Sequence, residues 1–162
     1  MAEILILGAG GFGTALAIMC AQNGHDVTLY SPFQEEIETL SAAREHKKLL
    51  PGVKIPETVK MVWELPQTVS APLAVVATPS FAVRGVCASI KGRIGRDTVV
   101  TCVSKGFETG TLKTLSQVIC EELPENSVVI LSGPSHAEEV ARGVPTTVVA
   151  ASRSRAAAEF VQ

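Results

Sequence analysis

The run LILGAGGFGTALA at residues 5–17 constrains the fold of this chain more than any other part of the sequence. An apolar segment leads into Gly8, Gly10 and Gly13, and these lead into a helix-like stretch without a charged side chain. The spacing G-x-G-x-x-G between a strand and a helix is typical of a turn that approaches a pyrophosphate. The first glycine permits the bend, the second leaves room for the ligand, and the third lets helix and strand pack closely.

The absence of charge in this run has a physical explanation. Amide groups that are unpaired at a helix N-terminus, together with the positive end of the helix dipole, attract phosphates without Lys or Arg. Because the glycines stand between a predicted strand and a predicted helix, we favour dinucleotide binding by Gly8, Gly10 and Gly13 over a turn that serves packing alone.

Short apolar runs recur along the chain with helix-like stretches between them. The predicted strands cover residues 3–7, 26–30, 73–78, 98–103, 127–131 and 146–150, with a short one near 59–62. The predicted helices cover residues 12–22, 32–42, 80–91, 112–122, 135–142 and 154 to the end. Most strands are rich in Val, Ile and Leu without alternation, which indicates burial on both faces. We expect one α/β domain over residues 1–162, a doubly wound, mostly parallel sheet of the Rossmann type.

Composition argues against several kinds of partner. The 14 Lys and Arg nearly balance the 16 Asp and Glu, so the chain lacks a field of one sign to hold nucleic acid or an acidic membrane. Glycines interrupt the first apolar stretch long before the ~20 residues that cross a bilayer. The cysteines lie far apart without metal-ligand spacing, which predicts buried thiols, no metal site and a cytoplasmic protein; they are Cys20, Cys87, Cys102 and Cys120.

Ligands of a doubly wound sheet bind at the carboxyl ends of its strands. After the second strand the sequence reads Ser31-Pro32-Phe33, with no carboxylate for an adenosine ribose and no Arg for a 2'-phosphate. Glu35 and Glu36 fall in the predicted next helix. Ser31 and Pro32 are therefore candidate cofactor contacts, and the choice between NAD and NADP stays open.

Three further strand ends carry candidate residues. Pro79 ends one strand with Ser80 as a predicted helix cap, and a plain capped turn and a cofactor contact are equally compatible with this pattern. Lys105 comes just beyond the strand at 98–103, where a lone lysine is usually solvated. Ser135 and Glu138 form an S-x-x-E pattern, which predicts a capping box.

Six segments occur in the order found in NAD(P)-dependent sn-glycerol-3-phosphate dehydrogenases, which the whole chain resembles; they are GAGGFGTALA, NGHDVTLY, LLPGVKIPETV, ATPS, SKGFETGT and LSGPSHAEEVARGVPTTVV. SKG and SGPS-x-AEE-x-ARG-x-PT are much more specific than the glycine motif. The resemblance implies reversible hydride transfer between sn-glycerol 3-phosphate and NAD or NADP, which gives dihydroxyacetone phosphate. It also implies a supply of glycerol phosphate for phospholipid synthesis.

The same resemblance implies roles for individual residues. Gly11 and Phe12 would lie along the cofactor pyrophosphate, and Ala137 would approach the cofactor. Lys105 would contact both cofactor and substrate, where an ammonium can stabilise the charge that develops on the substrate oxygen or take part in proton transfer. The implied substrate contacts besides Lys105 are Gly133 and Ser135.

Three positions depart from the common family pattern. Gly11 replaces a frequent Ser, so only its backbone can contact phosphate, and His46 replaces a frequent Asn. Pro32 stands where relatives often have a polar or basic residue, which weakens any expectation of NADP preference.

The family's proton-acceptor lysine and its phosphate-binding Arg belong to a helical domain that follows the Rossmann domain. The final residues RSRAAAEFVQ read as an interrupted helix, so we expect an N-terminal fragment that is inactive alone and can self-associate to cover apolar surface. Two alternatives stay open. One is the Rossmann half of another hydroxy- or keto-acid dehydrogenase, such as the ketopantoate reductase type, against which SKGFETG and LSGPSHAEE argue; the other is a free-standing NAD-sensing module.

Overall fold

The computed structural model describes all of residues 1–162 and contains one seven-stranded sheet and six α-helices. The strands are β1 (Glu3–Leu7), β2 (Asp26–Tyr30), β3 (Lys60–Val62), β4 (Leu73–Val76), β5 (Val99–Cys102), β6 (Val128–Ser132) and β7 (Val149–Ser152). The helices are α1 (Gly11–Gln22), α2 (Gln34–Ala43), α3 (Val83–Ile90), α4 (Leu115–Glu122), α5 (Ala137–Ala141) and α6 (Arg155–Val161). A short 3-10 helix at Ser80–Ala82 precedes α3.

The strand order is β3-β2-β1-β4-β5-β6-β7. All neighbours pair in parallel except β6 and β7, which are antiparallel. The chain runs from β1 outward to β3 and then returns to the other side of β1 through β4. This reversal creates a crevice at the carboxyl end of β1, where α1 begins. The predicted doubly wound, mostly parallel fold is confirmed.

The core lies on both faces of the sheet, as the apolar strand runs predicted. Ile4 and Ile6 of β1 belong to a cluster with residues of α1, α2 and β2. Leu5 and Leu7 point to the opposite face and belong to a second cluster with residues of α3, α4 and β5. All four side chains are at most 4% exposed. Successive strand residues face opposite sides, so β1 joins the two halves of the core.

The helix α1 is apolar nearly all round because it is enclosed by other elements. Residues 13–18 are all buried, and α1 packs against β2 on one side and α5 on another. The small side chains Ala15 and Ala17 are completely buried and permit close packing on the sheet. This packing holds the N-terminus of α1 at the carboxyl end of β1.

The predicted strand at 146–150 is wrong in extent, because pairing begins only at Val149, opposite Ser132. Before that point the backbone crosses close to Gly133, where an added Cβ would lie 2.5 Å from Thr147 O. The edge strand β7 is half-exposed rather than buried on both faces. Local composition did not distinguish it from the central strands.

Several predicted helix starts are also wrong. Ser80 opens the 3-10 helix and its side chain caps no helix. Residues 112–114 do not belong to α4, because Leu112 adopts a left-handed backbone (φ +56°) and Thr114 forms a capping box with Gln117. The helix predicted from Pro32 begins at Gln34.

The expectation that all cysteines are buried is wrong for two of them. Cys87 and Cys102 are completely buried, Cys20 is half-buried and Cys120 is exposed, and all four are unpaired. Burial raises the pKa of the Cys20 thiol to about 11 and that of Cys87 to about 12. These two thiols are therefore protonated and unreactive at neutral pH.

Candidate functional site

The glycine turn, residues 8–13, gives its three motif glycines different roles. Gly8 has a positive φ of +121°, and a Cβ there would lie 2.6 Å from Ala77 O. A Cβ on Gly13 would lie only 2.0 Å from Gly8 O. Since real contacts are never so short, Gly8 and Gly13 are required for the bend and for the close approach of α1 to β1 and β4.

Gly10 is different, because nothing lies within 4 Å of an added Cβ. Its φ of −68° is accessible to any residue. Gly10 is the N-cap of α1, which has no side-chain cap and no acidic residue in its first turn. The first amide groups of α1 are therefore left for an external acceptor, and the space beside Gly10 is open to one.

This space is part of a cleft of about 400 Å³ at the carboxyl ends of β1, β4 and β5, which we call the strand-end cleft. Seven of the predicted site residues line it, namely Gly10, Gly11, Phe12, Pro79, Lys105, Ser135 and Ala137. The remaining lining residues are Ala77, Thr78, Val103, Ser104 and His136. The fold therefore brings residues from four separate parts of the sequence to one concave surface.

Thr78 is a residue of the cleft that the sequence analysis did not select. Its Oγ1 is buried and has no hydrogen-bond partner in the protein. A buried hydroxyl without a partner is costly unless a ligand or water satisfies it. The sequence feature that could have identified Thr78 is its hydroxyl side chain directly before Pro79, at the end of a strand.

Contacts at both ends hold the loop that carries Lys105. Ser104 Oγ donates to Thr78 O at 2.5 Å, which joins the start of the loop to the end of β4. Gly106 takes a left-handed backbone (φ +105°) and packs near Ser80. Lys105 itself is exposed, lines the cleft and forms no ion pair. Its ammonium is therefore free to bind an anionic or oxygen ligand.

The far side of the same loop is held by the Arg84 cluster, which we define as Arg84 of α3, Glu108 and Lys113 of the loop, and Glu121 and Glu122 of α4. Arg84 donates two hydrogen bonds to Glu108, at 2.6 and 2.9 Å, and one each to Glu121 and Glu122. Lys113 also pairs with Glu121. A bidentate Arg–carboxylate pair fixes orientation as well as distance, so this cluster limits the movement of the segment between Lys105 and α4.

The Arg84 cluster predicts acid-dependent stability. Hydrogen bonds from Arg84 and then from the Thr111 hydroxyl lower the pKa of Glu108 from 4.5 to about 2. A carboxyl with a depressed folded-state pKa contributes stability above its unfolded pKa and loses it as the pH falls through the folded value. As the pH falls from about 4.5 to about 2, the free energy of unfolding should therefore decrease less in Glu108→Gln than in the wild type. Urea unfolding at several pH values measures this difference.

The matched control is Glu125→Gln, which removes a carboxylate that pairs with Arg96 at 3.2 Å on a more exposed surface. It should keep the acid dependence of the wild type. Equal acid sensitivity of Glu108→Gln and the wild type would show that the Arg84 pair does not stabilise the folded loop.

Other predicted site residues lie outside the strand-end cleft. Ser31 and Pro32 directly follow β2, and Ser31 is only 2% exposed. The interpretation that no carboxylate stands there is wrong, because Ser31 Oγ donates to Glu36 Oε2 across the start of α2. Gly133 does not line the cleft but permits the close passage of the backbone at residues 147–148.

The capping box predicted for Ser135 and Glu138 is not formed. The N-cap of α5 is His136, and it has no side-chain cap. Ser135 Oγ instead lies 3.5 Å from Gly133 O. This leaves Ser135 at the wall of the cleft, while Ala137 lies near Gly11, with 3.7 Å between its Cβ and an added Cβ on that glycine.

Neither a metal centre nor a membrane-spanning helix is found in the structure. No group of three or more His, Cys, Asp or Glu side chains is arranged to hold a metal ion. None of the helices has both the length and the apolar character needed to span a membrane.

A doubly wound sheet with an open second glycine, an uncapped helix N-terminus and a cleft at the strand reversal defines the class of dinucleotide-binding Rossmann domains. The sequence profile described as "NAD-dependent glycerol-3-phosphate dehydrogenase N-terminus" matches residues 3–158. The chain belongs to this family.

Individual relatives agree with the family. The chain is 45% identical to a Clostridium acetobutylicum protein and 43% identical to a Desulfitobacterium hafniense protein, both named glycerol-3-phosphate dehydrogenase [NAD(P)+]. Both matches cover all of this chain but only 49% and 46% of the relatives. The chain therefore spans about half the length of these curated relatives. The expectation of NAD or NADP is confirmed at the level of the family.

Solved structures agree in fold. The crystal structure of a Coxiella burnetii glycerol-3-phosphate dehydrogenase superposes with a TM-score of 0.91 at 32% identity, over 99% of this chain and 49% of that one. A UDP-D-ManNAc dehydrogenase from Pyrococcus horikoshii reaches a TM-score of 0.80 at 15% identity. The second likeness shows only that the same fold occurs in other dehydrogenases.

Proposed function

We propose that this chain binds NAD or NADP in the strand-end cleft as the cofactor half of an enzyme that interconverts sn-glycerol 3-phosphate and dihydroxyacetone phosphate. The open space beside Gly10, at the uncapped N-terminus of α1, carries the proposal. If the turn served packing alone, a larger residue would fit at position 10, whereas a bound pyrophosphate requires that space to stay empty.

The backbone would bind the cofactor and orient it. The amides at the start of α1 and the helix dipole would hold the pyrophosphate, with Gly11 and Phe12 alongside it. Ala137 is a small residue that lines the cleft near Gly11, and its short side chain would leave room for the bound nucleotide. The bound nicotinamide supplies a hydride acceptor or donor.

Lys105 would act on the substrate oxygen. It is the only Lys or Arg that lines the strand-end cleft, and it stands on a loop fixed by Ser104 and by the Arg84 cluster. An ammonium held there would stabilise negative charge on the oxygen during reduction of a carbonyl. Ser135 also lines the cleft and would bind a substrate hydroxyl or phosphate oxygen, and Gly133 would shape the backbone that presents it.

The substrates would be the two small phosphates, and the product glycerol phosphate would feed phospholipid synthesis. A cytoplasmic location is supported by the four unpaired cysteines, since disulfides are rare in that compartment. Self-association through exposed apolar side chains, such as Val149 and Phe160, is a further part of the proposal.

A polypeptide of residues 1–162 should bind NADH or NADPH but should not reduce dihydroxyacetone phosphate. Lys105 alone supplies cationic charge to the cleft, so substrate phosphate would lack a second partner, and the open cleft would not exclude water. Calorimetric titration with both nucleotides and an NADH oxidation assay on the same preparation test this prediction.

The two readouts separate the alternatives. Failure to bind either nucleotide would contradict the proposed function as a whole. Turnover at ordinary enzymatic rates, about 1–1000 per second, would instead show that these residues already contain a complete active site.

A further inference from the structure

The turn after β2 presents a carboxylate fixed by a buried hydroxyl. Ser31 Oγ donates to Glu36 Oε2 at 2.5 Å and accepts from Phe33 N–H at 3.4 Å. Ser31 is 2% exposed, so its hydroxyl is enclosed and both of these bonds are to the protein. Glu36 is half-buried in the first turn of α2. Its carboxylate is therefore held beside the residue that directly follows β2.

The second oxygen of this carboxylate, Oε1, has no hydrogen-bond donor in the protein. No Lys or Arg pairs with Glu36. The intervening turn residue Pro32 is exposed and carries neither a charge nor an N–H group. The end of β2 thus offers one free acceptor and a net negative charge.

This position adjoins the glycine turn. Gly8 N–H donates to Tyr30 O at 2.8 Å, so the last residue of β2 is joined to the first motif glycine. In a dinucleotide-binding sheet the adenosine ribose lies at the end of the second strand. At this ribose NAD has a 2'-hydroxyl, which is a hydrogen-bond donor, whereas NADP has a phosphate with a charge near −2.

We propose that Glu36, held in place by Ser31, makes the site select NAD over NADP. The proposal rests on the proposed function, because it requires a dinucleotide in this cleft. Oε1 accepts a hydrogen bond from the ribose hydroxyl of NAD. The same carboxylate repels a 2'-phosphate, and no cation at the turn offsets that repulsion.

Glu36 also stabilises the start of α2, because an acidic side chain in the first turn interacts favourably with the helix dipole. That role alone predicts a loss of stability in Glu36→Gln with no change in relative cofactor affinity. The ratio of the dissociation constants for NADPH and NADH therefore separates selectivity from helix stabilisation.

The test is calorimetric titration of the 162-residue chain and of Glu36→Gln with NADH and NADPH. The wild-type chain should bind NADH at least about 10-fold more tightly than NADPH. Glu36→Gln removes the charge and replaces two acceptor oxygens by one oxygen and one NH2 group, so the ratio should fall to about 3 or less.

Glu38→Gln is the matched control, because it also removes a charge from α2. Glu38 is exposed, and its carboxylate accepts a hydrogen bond from Gln34 instead of from Ser31. Glu38→Gln should leave the ratio at the wild-type value. The inference would be overturned if this ratio fell equally in Glu38→Gln, if it did not fall in Glu36→Gln, or if the wild-type chain preferred NADPH. Each of these results would still leave the dinucleotide site in place. Binding of neither nucleotide would overturn the proposed function and this inference with it.

A salt series on the wild-type chain tests the same proposal without a variant. Screening weakens repulsion between exposed charges as the Debye length shrinks from about 20–30 Å in dilute buffer to a few Å near 1 M salt. The pyrophosphate is common to both nucleotides, so its salt dependence cancels in the ratio. Preference for NADH should therefore decrease as salt is added, whereas an increase would indicate a cation at the 2'-phosphate and would overturn the inference.

Discussion

Gly10→Val should abolish measurable NADH binding and leave the chain folded. The added side chain would fill the open space at the N-terminus of α1, and it meets no protein atom within 4 Å at its Cβ. A pyrophosphate displaced from the helix would lose two or more charge-assisted hydrogen bonds, each worth about 1.5–3 kcal/mol. This loss corresponds to an increase in the dissociation constant of more than about 100-fold. Titration calorimetry measures it, and circular dichroism reports the fold.

Gly85→Val is the matched control for this variant. Gly85 is an exposed glycine of α3 with equally open space around an added Cβ and an ordinary φ, but it does not line the strand-end cleft. It should bind NADH as the wild type does. A folded Gly10→Val variant with unchanged affinity would remove the glycine turn from the cofactor site.

Lys105→Met should lower kcat/KM by at least about 100-fold in an enzyme that has the full length of the curated relatives. The methionine keeps much of the side-chain volume but removes the charge that would stabilise the substrate oxygen or transfer a proton. Because the loop is held by Ser104 and the Arg84 cluster, the fold should not change. Steady-state kinetics with dihydroxyacetone phosphate and NADH provide the measurement.

Lys91→Met supplies the comparison for Lys105→Met. Lys91 is an exposed lysine at the C-terminal end of α3, with no ion pair and no place in the cleft. Its removal should leave kcat/KM unchanged. If Lys105→Met behaved in the same way, Lys105 would be an ordinary solvated loop residue.

Features determined by neighbouring residues were predictable from the sequence. The glycine motif and the apolar runs predicted β1, α1 and the buried parallel strands, because each depends on local spacing. Two S/T-x-x-E/Q patterns show the limit of local reasoning. Thr114 and Gln117 form a capping box, whereas Ser135 and Glu138 do not, because α5 begins after His136.

Features that depend on distant partners were not predictable in the same way. The antiparallel direction of β7 depends on its pairing with β6 and on the backbone crossing at Gly133. Glu36 was correctly assigned to the helix after β2, but its contact with Ser31 spans the turn between them. The sequence therefore did not show that its carboxylate lies beside the end of β2. The Arg84 cluster joins three segments that have no shared sequence pattern.

The central place of β1 has a consequence for synthesis of the chain on the ribosome. Residues 3–7 of β1 are translated long before residues 73–76 of β4, which form one of their two neighbours in the sheet. Chains grow at about 5–20 residues per second, so Leu5 and Leu7 wait for seconds before the face that will bury them exists. During that interval the nascent chain presents an apolar strand with an unpaired edge, which is the kind of surface that chaperones protect from aggregation.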